Sequence, residues 1–465
     1  MLKQADPCLC YRPEHRNHSS MEMKNPLRDT TPDTFFGAGS SRGFFSGERR
    51  NVFPWCRPLV FCTLALLIAQ EAISLHLGTV APHNYISPTF FAPTALGAFA
   101  LTMILVPPSA WTRILLLGLL IEAVRFCLQV AFGRSLLNLV LLPGFGLGVA
   151  AWCFLTHQVL VRHGQARQDA LNMLAAALVM PLGHFLLWPC ILGTIPFLPV
   201  LYDGVAVRLE ATLGIQPASV IGLLFRDFPP LHIFHLVVYI QIPLAMSIVA
   251  ALEAKSGQRM GVGMIPTCLA AATIGYFLYA VMPVVGPLPI FGEGFAEAMR
   301  HLVALPSEPI INTTNPRNAM PSLHMTWALL IYLACRQHGR VIRVGGACFA
   351  LGTALATLGL GEHYFIDLVV AVPLVLFVRA ICAVDVPLAR FERWGALALG
   401  VALLFGWSLM VRGIVNPVVW PGLTPLLMGG TVLACFSAER VLFRSERGAQ
   451  ATELWQLRAA AGRPG

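Results

Sequence analysis

Windows of about 20 apolar residues follow one another along most of this chain, separated by short polar or basic stretches. That length is what a helix needs to cross roughly 30 Å of hydrocarbon at 1.5 Å per residue. About twelve such windows lie near 58–78, 91–107, 114–132, 136–160, 170–200, 231–252, 264–285, 323–336, 344–361, 363–382, 394–412 and 423–441. Backbone in lipid must bond to itself, so windows of this kind fold as helices. The expected fold class is an all-α polytopic membrane bundle of about 12 transmembrane helices. With 56% hydrophobic and 12% charged residues, a soluble globular chain is excluded. The window 170–200 is over-long and carries Pro181, Pro189, Pro196 and Pro199, so a break is expected there.

The net charge of +9 does not call for a nucleic-acid partner, because the basic residues sort by loop. The segment up to Arg57 is rich in them, and with that end cytoplasmic, alternation places Arg113, Arg162, Lys255, Arg336, Arg340, Arg343, Arg379 and Arg390 on the same side. Both termini are therefore expected in the cytoplasm. No secretory signal is read ahead of the first apolar window. The expected organisation is a disordered basic tail over 1–57, transmembrane helices over 58–200, a catalytic core over 201–382, further transmembrane helices over 383–441 and a cytoplasmic tail over 442–465. Arginine outnumbers lysine heavily, which points to a GC-rich genome and a bacterial inner membrane. The cysteines, Cys8 and Cys10 included, show no disulfide or metal spacing. Asn312-Thr313-Thr314 is a glycosylation sequon, relevant only in a eukaryotic lumen. Two non-cytoplasmic loops exceed what connection requires: 201–229, read as an interfacial helix, and 286–321, read as a lid or entry element.

That second loop feeds into Pro321-Ser322-Leu323-His324, and His363-Tyr364-Phe365-Ile366-Asp367 follows one membrane round trip later. Ionisable groups at the edges of apolar spans are costly and mark function. Both histidines fall at the external ends of helices, so 39 positions of sequence become spatial proximity. Spacing of four places Asp367 under His363, where a carboxylate accepts Nδ1–H and leaves Nε2 as nucleophile or base. His324 is placed to protonate a leaving oxygen. Helix N-termini there offer N–H groups to phosphate, with Ser322 as N-cap or further donor. Glu122 and Arg125, three apart, are expected to pair with each other, and His232 and His235 to be structural.

In these segments the chain resembles the type 2 phosphatidic acid phosphatase superfamily, and within it the inositol phosphorylceramide synthase-like, inositolphosphotransferase branch. The resemblance covers about residues 201–382. It implies a six-helix core, with His363 forming a phosphohistidine, Asp367 orienting it and His324 as general acid. Leu323 stands where glycine is usual, Ala356-Thr357 where Ser-Arg is usual, and Met282-Pro283-Val284-Val285-Gly286-Pro287 roughly where Lys-x6-Arg-Pro would be. Synthase-like members share such losses, which tilts the reading from hydrolysis to transfer. With the usual phosphate-clamping bases gone, Arg317 is the first candidate and Arg300 the second. The expectation is a lipid phosphotransferase or phosphatase at the non-cytoplasmic face, acting on membrane lipids, with neither cofactor nor metal. The alternative is a secondary transporter, also rich in spans and membrane-embedded ionisable residues.

Overall fold

An open strand edge in hydrocarbon leaves N–H and C=O groups without partners, whereas a helix satisfies its own. The computed structural model is accordingly helical, with residues 53, 55–77, 88–131, 144–301, 310–311, 315–416, 418 and 422–460 described. Nearly all of the 1–57 tail, with Cys8 and Cys10, and the Asn312-Thr313-Thr314 sequon lie outside the described residues.

The first half holds α1 (Cys56–Leu77), α2 (Pro88–Leu105), α3 (Pro108–Ala131), α4 (Phe145–Val161) and α5 (Gly164–Phe197). Glu122 of α3 pairs with Arg125 at 2.7 Å, as expected, and its other oxygen accepts the Gly144 and Gly146 N–H groups at 3.1 and 2.7 Å. It thereby ties α3 to the start of α4. Then come β1 (Val200–Leu201), α6 (Asp203–Ala211), α7 (Pro217–Asp227), α8 (Pro229–Ile240), α9 (Ile242–Ser256), α10 (Met264–Val281), α11 (Pro287–Phe291) and α12 (Phe295–His301). The chain continues through β2 (Ile310–Ile311), α13 (Leu323–Cys335), α14 (Arg340–Gly359), α15 (Phe365–Cys382), α16 (Phe391–Val411) and α17 (Leu423–Ala460).

Among the described residues five helices are long and apolar enough to cross a membrane: α10, α14, α15, α16 and the Leu423–Thr452 part of α17. A sixth arises if α7 and α8, bent by 119°, form one broken span. The protein is thus an all-α, integral membrane bundle. The stretches Ala92–Leu105, Phe145–Val161 and Leu323–Cys335 are apolar but shorter. Thirteen residues of α13 rise only about 20 Å. The irregular segment before it is tolerated because Arg317 and residues 319–323 are buried in protein rather than in lipid.

Several expected boundaries differ. The window 170–200 is not broken: α5 runs for 34 residues through Pro181, Pro189 and Pro196. The window 231–252 splits at Gln241, because Pro243 has no N–H to continue the helix and takes its first turn instead. The expected tail over 442–465 is helical as far as Ala460, as a continuation of α17. Arg379, read as a topological charge, is fully buried and paired with Glu446 of α17.

The two long loops meet each other. β1 and β2 pair antiparallel, Val200 with Ile311 and Leu201 with Ile310. Loop 201–229 forms two helices, α6 and α7, instead of one. Helix α15 is the axis of the second half, packed against α6, α10, α13, α16 and α17. A helix enclosed on all sides must be apolar all round, and apart from Asp367 at its start and Arg379 near its end, this one is.

Candidate active site

Helices α13 and α15 pack together, and their N-terminal ends bring His324 and His363 to 6.1 Å between ring centroids, edge to face. Ser322 is the N-cap of α13: its Oγ accepts the Met325 N–H at 3.3 Å, and its own N–H donates to the Asp367 carbonyl at 3.1 Å. That last bond joins the two helix starts directly. His324 lies flat on Tyr239 at the end of α8, with 3.9 Å between centroids and 18° between planes. Its edge faces Trp327 at 6.0 Å.

His363 precedes α15 rather than belonging to it, since Tyr364 is the N-cap. Its Nδ1 lies 2.9 Å from the Ala319 carbonyl and 3.4 Å from Asp367 Oδ2. A carbonyl only accepts, so Nδ1 carries the proton and Nε2 keeps its lone pair. The expected tautomer is present, but its principal acceptor is backbone. Asp367 is drawn away because its Oδ2 accepts the Tyr364 N–H at 2.8 Å, closing a capping box at the third helical position.

The helix start expected to receive phosphate is already occupied. The Tyr364 N–H is taken by Asp367, and the Phe365 N–H by Glu210 Oε2 at 2.8 Å. Glu210 and Asp203, at the two ends of α6, are both fully buried. Asp203 accepts the Gly286 N–H at 3.0 Å and the Val285 N–H at 3.3 Å. Burial lifts the Asp203 carboxyl to about 7, against the pull of those N–H groups and with a further push from Asp367. Burial likewise lifts Glu210 to about 8, so it holds its proton at neutral pH. Burial depresses His363 to about 4, against the opposing field of Glu362, so its ring is neutral at pH 7. Burial also raises Glu362.

The stretch 283–287 threads this region. Tyr202 N–H bonds to the Pro283 carbonyl and Ala319 N–H to the Val284 carbonyl, each at 3.0 Å. Gly286, at φ +97°, passes so close to the Glu362 carbonyl that a Cβ would collide with it. Gly361, at φ +73°, has the Phe295 ring on the side where a Cβ would stand.

Of the candidate residues, His324, His363, Asp367 and Ser322 are gathered in one place. Arg317 is buried nearby, two residues before Ala319, with Nε donating to the Leu198 carbonyl at 2.7 Å and Nη1 to the Asn315 carbonyl. Arg300 is exposed at the end of α12, a helix that packs on α7. His235 is buried, bonded through Nδ1 to the Leu231 carbonyl and set against Phe225, a structural arrangement as expected. Tyr239 and Glu362 were not singled out in the sequence reading, and Asp203 and Glu210 counted there only as charged residues of the 201–229 loop. Glu362 could have been found as an acid adjoining His363; an aromatic inside an apolar window, such as Tyr239, gives no signal of its own.

Residues 206–381 match the family model of the PAP2 superfamily, the type 2 phosphatidic acid phosphatases. The match supports that superfamily for this part of the chain, and with it an enzyme of the phosphatase and phosphotransferase kind. No curated protein matches the chain. No solved structure matches it.

Proposed function

We propose that the protein is a lipid phosphotransferase or phosphatase in which His363 Nε2 attacks phosphorus, the bond to the leaving oxygen breaks, and His324 delivers a proton to that oxygen. The observation that carries this reading is the meeting of His324 and His363, inside the segment that matches the PAP2 superfamily, with Nδ1 of His363 engaged and Nε2 left for chemistry. In the second half of the cycle the phosphohistidine passes its group to water or to an alcohol, and His324 takes back the proton. The Ala319 carbonyl orients the ring, and Asp367, 3.4 Å from Nδ1, lies beside the positive charge that develops on it. Arg317 is the candidate for the phosphate oxygens; two of its N–H groups are held by carbonyls, so that role requires sharing them.

The loss of the usual clamping motif favours transfer to an alcohol, such as inositol, over hydrolysis. In this reading the site faces the non-cytoplasmic side of a bacterial inner membrane; the sorting of basic residues into alternate loops supports the face, and the excess of arginine over lysine supports the membrane. The test uses purified protein in lipid vesicles with labelled phospholipid or lipid phosphate, with and without alcohol acceptors. Released phosphate indicates hydrolysis; a new phosphodiester indicates transfer. Substrate-dependent flux with no covalent product would overturn the reading in favour of a transporter.

Tyr239 enters this reading through its stack on His324. An aromatic pair of this kind contributes about 0.5–1.5 kcal/mol. Tyr239→Leu is therefore expected to lower kcat by roughly 2- to 10-fold with little change in KM, and Tyr239→Phe to keep most of the rate. Equal losses in both variants would assign the effect to the hydroxyl instead.

A further inference from the structure

Asp203 and Glu210 lie seven residues apart, two helical turns, on one face of α6. Both are fully buried, and neither takes part in the reaction proposed above. Burying a carboxyl is costly unless it is well bonded, and a serine or asparagine satisfies one N–H at lower cost. What the two acids hold gives the arrangement its meaning.

Asp203 grips the N–H groups of Val285 and Gly286, which fixes the irregular stretch 283–286 ahead of α11. On that stretch the Val284 carbonyl receives the Ala319 N–H at 3.0 Å, and the Ala319 carbonyl is the acceptor of His363 Nδ1–H at 2.9 Å. Glu210 grips the Phe365 N–H at 2.8 Å, two residues after His363. The backbone on either side of the imidazole is thus anchored to the two ends of one short helix. We infer that Asp203 and Glu210 are positioning residues that fix the Nδ1–H tautomer and the ring plane of His363. Their contribution is hydrogen-bond acceptance at a set position, which an amide oxygen also supplies.

The kinetic arm of the test rests on the reading of His363 as nucleophile; the spectroscopic arm does not. Full-length protein in lipid vesicles is compared as wild type, Asp203→Ala, Glu210→Ala, Asp203→Asn and Glu210→Gln. The measurements are kcat and KM on a labelled lipid phosphate and the 15N spectrum of the histidines, with the His363 signal assigned by its loss in His363→Gln. The alanine variants are expected to lose roughly 10- to 100-fold in kcat, the cost of a misplacement near 1 Å, with KM within about twofold. Their His363 signal should show a second tautomer. The amide variants should keep one Nδ1–H tautomer and kcat within about twofold of wild type. Should the alanine forms fail to insert, Asp203→Glu and Glu210→Asp, which move the acceptor by one methylene, carry the same expectation. Variants with a displaced or missing acceptor that retain wild-type kcat and a single tautomer would overturn the inference. Tautomer loss in a protein that turns over no lipid phosphate would uphold the positioning role and overturn the nucleophile.

Discussion

Replacing His363 with glutamine is expected to lower turnover of a lipid phosphate by about 10³-fold or more while the protein remains folded in the membrane. Glutamine fills similar space and can still donate to the Ala319 carbonyl, but it offers no nitrogen lone pair to phosphorus. The native ring is 2% exposed and neutral at pH 7, so its nucleophile needs no prior loss of a proton. The same substitution has a readout independent of activity. His363 is held down to about 4 in the folded protein, whereas an unfolded histidine titrates near 6.5. Between those values the unfolded chain binds a proton that the folded chain does not, so stability rises with pH across the window and is lost as pH falls through it. Denaturant unfolding of His363→Gln should lack that contribution. Turnover within tenfold of wild type would remove His363 from the chemistry.

Glu446→Ala is expected to cost about 3–5 kcal/mol of stability, because it leaves a buried guanidinium without its counter-charge. Arg379, near the end of α15, is fully buried; Nη1 donates to Glu446 Oε1 at 3.3 Å and Nη2 to Oε2, a two-point fork. Arg336, the C-cap of α13, pairs with Glu439 two turns earlier on α17, and Gln450 bonds to Asp385 just after α15, so the far part of α17 is fastened to the ends of the helices that carry the candidate site. Removing one partner differs from removing both: Arg379→Met with Glu446→Leu should recover most of the loss. Unfolding in detergent, followed by loss of helical signal, measures both. A Glu446→Ala protein as stable as wild type would mean that α17 does not dock through this pair.

Much of this architecture was readable in the residues themselves. Apolar windows named α10, α14, α15 and α16 within a few residues, because helix is the one open-chain solution in hydrocarbon. The two histidine segments were readable for a similar reason: His, His and Asp at span edges are expensive enough to stand out. Other features followed weaker signals. Pro181, Pro189 and Pro196 resembled breaks yet lie within one continuous helix, while Pro243 does open a new one. Spacing of four placed Asp367 beneath His363 but could not foresee that its oxygen would cap the Tyr364 N–H and leave Nδ1 to a carbonyl 44 residues upstream.

The chain's hydropathy determined by itself that this is a helical membrane protein, and the cost of charge beside lipid picked out the few polar side chains proposed for its chemistry. Only tertiary structure decided how those side chains are held. The partners of His363, Asp367, Phe365 and Arg379 include a backbone carbonyl, a carboxylate on α6 and a glutamate on α17. Backbone groups are the same at every position and a lone acid carries no address, so these contacts exist in no local pattern and arise only when distant segments pack.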